Sequence, residues 1–384
     1  MLYKNAYIFQ GTEGFVKGSL RVFDGRIEEV LREDASGLEP SVEVTDPDVT
    51  DLEGLYVIPG LIDIHTHGNS GYDFSDGDPE GLRIMGEYYA RHGITSFAPA
   101  SMTLPYEVLE KAFQTAREYT RCRPDDAARL VGIHMEGPFF SEKKRGAQNS
   151  AYLKLPDAEA VRRLQEAFGG LIRIVDVAPE LPGAEAFIRE VAPICRVSVA
   201  HTESSFEEAV SAFDAGALHV THLFNGMPPL HHRSPGVIGA AFDRGDVTVE
   251  LICDGLHIHP AVIRLVFMAF AGRVCLVSDS MRCCGMPDGD YELGGQKVYV
   301  RDRKALLADG TLAGSVLNLY DDMVNAIRFG IPAEQAILAA TLIPAKVIGE
   351  DREAGSLKAG KRADFVLCDR DWKIRQVVIG GETV

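Results

Sequence analysis

Eight apolar, strand-like runs alternate with helical patterns through the middle of the chain. They lie at 57–65, 94–100, 128–136, 171–179, 196–201, 218–224, 247–255 and 274–280. The segments between them, such as PEGLRIMGEYYARHG and PYEVLEKAFQTAREY, carry apolar residues three and four positions apart, as amphipathic helices do. Continuous apolar strands separated by helices indicate a parallel sheet that helices cover. Eight such units predict an α/β fold, a closed (β/α)8 TIM-like barrel, in preference to an open doubly wound sheet.

The two ends of the chain have a different pattern. Residues 1–56 contain short alternating runs, including VEVTD at 42–46, and Asp24-Gly25 is typical of a tight hairpin turn. RADFVLCD and WKIRQVVIGG, near the other end, repeat this pattern. We therefore expect 1–56 and 350–384 to form one small β-sandwich domain beside a catalytic barrel at 57–349, whose last part (331–349) is a helix pair. Two separate β-arms are the alternative, but they would leave strand edges exposed.

Composition narrows the range of partners. The 384 residues include 39 Lys and Arg against 56 Asp and Glu, a net charge of −17. This acidic balance argues against nucleic acid or an anionic membrane as a partner, because both select basic surfaces. No apolar run approaches the roughly 18 residues of a membrane span, and MLYKNAYIFQGTEG lacks the apolar segment of a signal peptide. Seven cysteines without a CxxC pair predict a reduced, cytoplasmic protein.

Polar side chains collect where the predicted barrel strands end, which is where barrel enzymes place their catalytic groups. The first strand ends in His65 and His67, which are two residues apart and so point to the same face. The third, fifth, sixth and eighth strands end in Glu136, His201, His222 and Asp279. Four neutral imidazoles and one carboxylate in a barrel mouth form a ligand set for a divalent metal such as zinc.

Two further histidines lie beside these candidates. His134 is two residues before Glu136 and faces the same way, so it is either a packed barrel residue or a partner of a metal ligand. His219 is three residues before His222 on a strand, so we expect it to face away and to be structural.

Several motifs occur in order from about residue 55 to about residue 365. They are GLIDIHTHG, HMEGPFF, EKKRGAQN, APE, AHTE, THLFNGM, RSPG, CDGLH, SDS and LAGS. Together they resemble the amidohydrolase superfamily and, within it, the N-acetylglucosamine-6-phosphate deacetylases. HxH alone indicates only the superfamily, whereas HMEGPF, THLFNGM and DGLH indicate the narrower family. Related branches carry a carboxylated Lys on the fourth strand; LIRIVDVAPE has none, and Glu136 supplies the acidic ligand instead.

The resemblance implies a role for each matching residue. Glu136, His201 and His222 fall on the family's metal ligands, and His65 and His67 on those of a second ion. One or two divalent ions per subunit are thus implied, with zinc foremost and iron, manganese or cobalt as alternatives. The catalytic aspartate falls on Asp279. The implied substrate contacts are Ala147, Gln148, Asn225, Gly226, Arg233, Asp254, Gly255, Leu256, His257, Leu312, Ala313 and Gly314. Gln148 stands where many members have a His that helps to polarise the acetyl carbonyl.

The implied reaction is metal-dependent hydrolysis of N-acetylglucosamine 6-phosphate to glucosamine 6-phosphate and acetate, in amino-sugar catabolism and cell-wall recycling. The alternatives are the deacetylase of N-acetylgalactosamine 6-phosphate and an amidohydrolase acting on a cyclic amide or a base. A non-catalytic barrel is the remaining alternative, against which the full set of candidate ligands argues. The resemblance further implies a homodimer or a dimer-based oligomer, in which the loop at 231–233 crosses the interface toward a sugar phosphate.

Overall fold

The computed structural model describes residues 1–33 and 49–384. The strands, in chain order, are β1 (Leu2–Phe9), β2 (Phe15–Phe23), β3 (Arg26–Arg32), β4 (Val49–Asp51), β5 (Tyr56–Pro59), β6 (Leu61–Thr66), β7 (Gly68–Asn69), β8 (Tyr72–Asp73), β9 (Ile94–Ser101), β10 (Arg129–Leu130), β11 (Ile133–Met135), β12 (Ile172–Val177), β13 (Arg196–Val199), β14 (Ala217–Val220), β15 (Thr248–Leu251), β16 (Val274–Leu276), β17 (Gly289–Leu293), β18 (Gln296–Arg301), β19 (Lys304–Leu306), β20 (Leu312–Gly314), β21 (Phe365–Cys368), β22 (Ile374–Ile379) and β23 (Glu382–Thr383). The α-helices are α1 (Pro79–Arg91), α2 (Tyr106–Cys122), α3 (Ala158–Ala167), α4 (Ala184–Val191), α5 (Phe206–Ala215), α6 (Gly236–Asp243), α7 (Pro260–Ala269), α8 (Leu319–Arg328), α9 (Ala333–Ala340) and α10 (Leu342–Val347).

The barrel is built from parallel strands in chain order. They pair as β6-β9-β11-β12-β13-β14-β15-β16, and the short β10 also pairs with β9. The last strand meets the first through hydrogen bonds at their carboxyl ends, from Asp279 N to His65 O at 2.9 Å and from His67 N to Ser280 O at 2.8 Å. The predicted barrel is confirmed, and its strands bring their carboxyl ends to one mouth.

Amphipathic helices cover the outside of the barrel. In α1 the Asp78 side chain caps the helix by accepting from Glu80 N, and Leu82, Met85 and Tyr89 are buried against the strands. The helix pair expected in 331–349 is present as α9 and α10. Among the described residues, no helix combines the length and the apolar character needed to cross a bilayer.

Strands from both ends of the chain form a second sheet, in the order β23-β22-β21-β5-β1-β2-β3, with β4 paired to β1. Asp24 and Gly25 have φ of 48° and 69° and join β2 to β3, so the predicted hairpin is confirmed. The expectation that both termini build a separate β-domain is confirmed as well. The boundaries at 56, 57, 349 and 350 stay a prediction, and the strand expected at 42–46 lies outside the described residues.

The run at 57–65 is divided between the two sheets, so the prediction of a single strand was wrong. β5 pairs with β21 in the terminal sheet, whereas β6 begins the barrel. Gly60 separates them, and its N–H donates to Asp364 O at 2.9 Å. A Cβ at this position would lie 2.1 Å from Thr95 Oγ1, so only glycine fits where the chain passes between the domains.

An antiparallel insertion follows the last barrel strand, and the sequence pattern did not reveal it. It consists of β17, β18, β19 and β20, paired in that order. Gln296 donates its Nε2 hydrogen to Ala147 O, which ties the insertion to the loop after β11. The insertion therefore contributes residues to the barrel mouth that no barrel strand supplies.

Candidate active site

Glu136, which follows β11, lies at the centre of four imidazoles in the barrel mouth. Its Oε1 is 3.1 Å from His201 Nε2, 3.3 Å from His222 Nε2 and 3.7 Å from His65 Nε2. Its Oε2 is 3.2 Å from His67 Nε2. All five side chains are at least nine-tenths buried. The structure therefore brings together the five residues that the sequence analysis singled out as metal ligands.

The chain turns sharply where three of the site residues end their strands. His201, His222 and Asp279 have φ of 44°, 29° and 47°, in the left-handed region that residues with a Cβ rarely adopt. Such conformations cost about 1–3 kcal/mol each and persist where the surrounding structure fixes them, often at functional sites. The sharp turns aim these side chains into the barrel mouth.

Hydrogen bonds on the outer ring nitrogens orient three of the imidazoles. The Nδ1 atoms of His67 and His201 lie 3.2 Å and 2.7 Å from the carbonyl oxygens of Ala100 and Lys144. The Nδ1 of His65 lies 2.8 Å from the carboxylate of Glu250. A proton held on Nδ1 leaves the Nε2 lone pair free, and in each of these residues Nε2 faces the cluster. The orientation is the one that metal ligation requires.

The donor set can be tested against a divalent cation. Ligand atoms of Glu136, His201 and His222 lie within 4.8 Å of one another, and so do those of His65, His67 and Asp279. The buried Nε2 of His65 has no hydrogen-bond partner among the described residues. Imidazole and carboxylate groups at this density suit zinc and similar ions. The residues present therefore fit a divalent metal ion, at one or both sites.

The pKa values of the clustered side chains also indicate a binding site for a cation. Burial alone would lower the pKa of His222, but the Glu136 carboxylate outweighs it and raises that pKa to about 9. Burial would likewise raise the pKa of Glu136, yet hydrogen bonds from His201, His222 and His67 hold it well below its usual range. The carboxylates are therefore stabilised by nearby positive charge. Protons on the imidazoles provide that charge when no metal ion is bound, and a bound cation displaces them.

Asp279 lies beside the paired histidines at the open side of the cluster. Its Oδ1 is 3.4 Å from His67 Nε2 and 3.6 Å from His65 Nε2. Its side chain is 12% exposed against 3% for Glu136, so it is the more accessible of these two carboxylates. Burial would raise the pKa of Asp279, but the hydrogen bond from His67 and the nearby imidazoles keep that pKa below its usual value. Asp279 is therefore a carboxylate at neutral pH, with access to the cavity above.

Gln148 fixes the position of Glu136. Its Nε2 donates to Glu136 Oε2 at 2.7 Å, and its Oε1 accepts from Thr103 N at 2.7 Å. One amide hydrogen and the amide oxygen are thus engaged by the protein. The second amide hydrogen has no partner among the described residues, and Gln148 lines the cavity, so this hydrogen is available to a ligand.

A cavity of about 210 Å³ opens above the cluster. The predicted site residues in its wall are His67, Glu136, Ala147, Gln148, His201, His222, Asn225, Gly226, His257, Asp279, Leu312, Ala313 and Gly314. His65, the remaining imidazole of the cluster, has no exposed surface and is not part of this wall. The structure does not place Arg233, Asp254, Gly255 or Leu256 in this wall.

The loop after β15 owes its shape to Asp254. Its Oδ1 accepts from Leu256 N and His257 N, and its Oδ2 lies 2.7 Å from His257 Nδ1. Asp254 therefore holds the ring of His257, which lines the cavity. On the neighbouring loop Gly226 is required, since a Cβ there would lie 2.9 Å from His201 Nδ1.

Other residues of the site were missed. Met102, Gly146, Leu293 and Thr311 also line the cavity, and Glu250 supports His65 from below. Glu250 could have been found from the sequence, because a charge inside the apolar run VTVELICDG is unusual for a buried strand. Leu293 and Thr311 gave no such signal.

His134 and His219 are both buried, and polar groups contact both ring nitrogens of each. His134 Nε2 lies 2.9 Å from Asp176 Oδ1, and its Nδ1 lies 3.0 Å from Ile64 O. His219 lies 3.1 Å from Glu250 Oε1 and 2.7 Å from Thr248 Oγ1. His219 therefore faces the polar interior of the barrel, so the expectation that it faces away was wrong. The strand ends at Val220 and His222 follows in a left-handed turn, so the alternation of side chains along one strand does not extend from His219 to His222.

Residues 56–384 match the model of the Amidohydrolase family. The chain belongs to the amidohydrolase family. Amidohydrolases are metal-dependent, which agrees with the buried histidine and carboxylate clusters at the barrel mouth.

Individual relatives of this amidohydrolase cover nearly its whole length. It is 37% identical to the N-acetylglucosamine-6-phosphate deacetylase of Bacillus subtilis (strain 168), over 99% of this chain and 96% of the relative. It is 34% identical to the N-acetylgalactosamine-6-phosphate deacetylase of Escherichia coli O157:H7, over 91% and 93% respectively. Among solved structures, a mutant N-acetyl-D-glucosamine-6-phosphate deacetylase of Mycobacterium smegmatis, in complex with N-acetyl-D-glucosamine-6-phosphate, superposes with a TM-score of 0.91 at 30% identity. That match covers 100% of this chain and 98% of the other.

Proposed function

We propose that this amidohydrolase hydrolyses the acetamido group of N-acetylglucosamine 6-phosphate to give glucosamine 6-phosphate and acetate. The observation that carries the proposal is the carboxylate of Glu136 facing four imidazole Nε2 atoms, with Asp279 beside them on the cavity floor. The near full-length similarity to deacetylases of phosphorylated amino sugars supports this substrate class.

The two groups of candidate metal ligands are assigned to two different cations. Glu136, His201 and His222 hold one divalent cation, and His65 and His67 contribute to a second beside it. Zinc is the first candidate, with iron, manganese and cobalt as alternatives, because imidazole and carboxylate ligands suit all of them. A bound divalent cation supplies the acidity that makes water nucleophilic near pH 7 and polarises the acetyl carbonyl.

Asp279 moves the proton. Its carboxylate accepts a proton from the attacking water, acting as general base, and then donates that proton to the departing amine nitrogen as general acid. Its pKa below the usual value keeps it ionised before attack. The free amide hydrogen of Gln148 donates to the developing oxyanion.

The sugar occupies the remainder of the cavity. His257, held by Asp254, offers a hydrogen-bond donor to an anionic or hydroxyl group. The main chain at Asn225-Gly226 and at 312–314 approaches the sugar ring closely, because these segments line the cavity with little side chain in the way.

The sugar phosphate needs positively charged partners. The described residues that line the cavity include histidines but no lysine or arginine. Arg233 is exposed on the loop after β14, with Nη1 2.8 Å from His232 Nε2. Leu230, three residues before Arg233, lines an apolar hollow with Phe242 and Leu265, and these three side chains are 55%, 53% and 61% exposed. We infer that this surface pairs with a second copy and that Arg233 reaches the phosphate in the partner's cavity.

Replacing Arg233 by Ala should raise KM for the phosphorylated sugar by about 10-fold or more, because a charge-assisted contact to phosphate is lost. The KM for unphosphorylated N-acetylglucosamine should stay the same. Steady-state kinetics with both sugars measures the effect, with Arg244→Ala as the control, since that arginine pairs with Asp214 and Asp246. Equal changes for both sugars would refute the phosphate contact.

The proposed reaction is tested by acetate release from both hexosamine phosphates before and after chelation. We expect turnover of N-acetylglucosamine 6-phosphate, its loss on complete metal removal, and recovery when a divalent ion is restored. Preference for the galactosamine epimer would instead favour the activity named for the Escherichia coli relative. Activity that survives full metal removal would contradict the mechanism.

The cytoplasm is the proposed location. All seven cysteines are unpaired, and five of them are buried, as in proteins of reducing compartments.

A further inference from the structure

Glu250 lies on β15 directly beneath the imidazole cluster and has no exposed surface. Its Oε2 accepts from His65 Nδ1 at 2.8 Å and from the backbone N–H of His222 at 3.1 Å. Its Oε1 lies 3.1 Å from His219 Nε2. Both carboxylate oxygens are therefore engaged, and the side chain has one defined position inside the barrel.

The four imidazoles of the cluster differ in what supports them. His65 alone among them, within the described residues, has a carboxylate behind its ring. The rings of His67 and His201 rest on main-chain carbonyls, and the Nδ1 of His222 has no hydrogen-bond partner among the described residues. A carboxylate behind a metal-binding imidazole fixes its tautomer and raises its basicity more than a neutral carbonyl does.

We propose that Glu250 is a positioning residue that sets the affinity of the second cation, the one assigned to His65 and His67. The inference rests on the two metal positions of the proposed function. Among the described contacts, Glu250 reaches the other position through the main chain of His222, whose ring bonds to Glu136 and not to Glu250. Loss of Glu250 should therefore weaken one cation and spare the other.

Glu250→Gln removes the negative charge of this side chain but keeps its size and one acceptor oxygen, so it tests the effect of the charge alone. His65 Nδ1 and His222 N both need an acceptor, so the amide oxygen of Gln takes the place of Oε2. The amide NH2 then faces His219 Nε2, which can accept because His219 Nδ1 can donate to Thr248 Oγ1 at 2.7 Å. Glu250→Leu removes the acceptor as well. The two variants form a graded series at one position.

The experiment titrates the full-length apoprotein with Co²⁺ and follows the visible absorption of the bound ion. In the unsubstituted protein we expect two binding events. Glu250→Gln should weaken the binding of the cation at His65 and His67 about 10-fold and leave the other event unchanged, and Glu250→Leu should weaken the same event about 100-fold. His219→Gln is the matched control: it removes a different neighbour of Glu250, leaves the bond to His65, and should change neither event.

Three results would overturn the inference: a single Co²⁺ in the unsubstituted protein, equal weakening of both events in Glu250→Gln, or no change in either. Circular dichroism and thermal unfolding establish that each variant is folded, and Glu250→Gln decides the question if the Leu variant is not. Acetate release is measured separately. Two Co²⁺ events with the expected asymmetry but no hydrolysis of either sugar would reject the proposed reaction and leave the role of Glu250 intact.

Discussion

Asp279→Asn should lower kcat for acetate release by about 10²–10⁴-fold, the range that general acid–base catalysis contributes. The Asn side chain has the same shape, so the substrate still binds and KM changes little. What is lost is the ability to accept a proton from water and return it to the amine. The metal held by Glu136, His201 and His222 should remain, since Asp279 belongs to the other ligand group. Steady-state kinetics together with metal analysis measures both effects.

Asp254→Asn is the matched control for this substitution. Asp254 is also a buried aspartate that follows a barrel strand, but it contacts His257 and the loop main chain instead of the cluster. Its substitution should raise KM more than it lowers kcat, because His257 lines the sugar cavity. An unchanged kcat in Asp279→Asn would mean that another group transfers the proton.

Glu136→Ala should abolish metal binding and, with it, turnover. Among the described residues, Glu136 is the single carboxylate that faces all four imidazoles, at 3.1–3.7 Å from their Nε2 atoms. Its loss should weaken cation affinity by more than the roughly 10–100-fold that follows loss of a supporting hydrogen bond. Metal content of the purified variant and acetate release should fall together.

Glu180→Gln provides the comparison for Glu136→Ala. Glu180 accepts hydrogen bonds from Thr202 and from Glu203 N, on the loop after His201, and has no contact with the cluster among those described. Its substitution removes a loop carboxylate near the site and should leave the metal content unchanged. Full metal content in Glu136→Ala would show that the cation does not lie at this carboxylate.

The cluster could be predicted because strand ends are visible in a sequence. Each of His65, His67, Glu136, His201 and His222 follows an apolar run, and parallel strands in a barrel bring such ends to one mouth. Asp279 follows the same rule. The prediction needed only the order of the strands and their direction, which the alternation of apolar runs and helical patterns provides.

Other features depended on contacts between distant segments. Gly60 lies in a run that reads as one strand, yet Thr95 and Asp364 fix it as the point where the chain leaves one sheet for another. Leu293 and Thr311 reach the cavity from an insertion that has no helical or barrel pattern. Arg233 matched a substrate contact by position in the sequence, but the structure places it on an exposed loop outside the cavity wall.

The sequence by itself determined the barrel, the separate β-domain from both termini and the residues that gather at the barrel mouth. These features can be predicted because they depend on the local periodicity of apolar residues and on the residue types at strand ends. Both are properties of neighbouring positions in the chain. Only the tertiary structure decided which ring nitrogen of each histidine faces the cluster, that Glu250 supports His65, and that Gln148 holds Glu136. Hydrogen-bond partners of this kind lie up to 185 residues apart in the chain, so their geometry exists only after the barrel has closed.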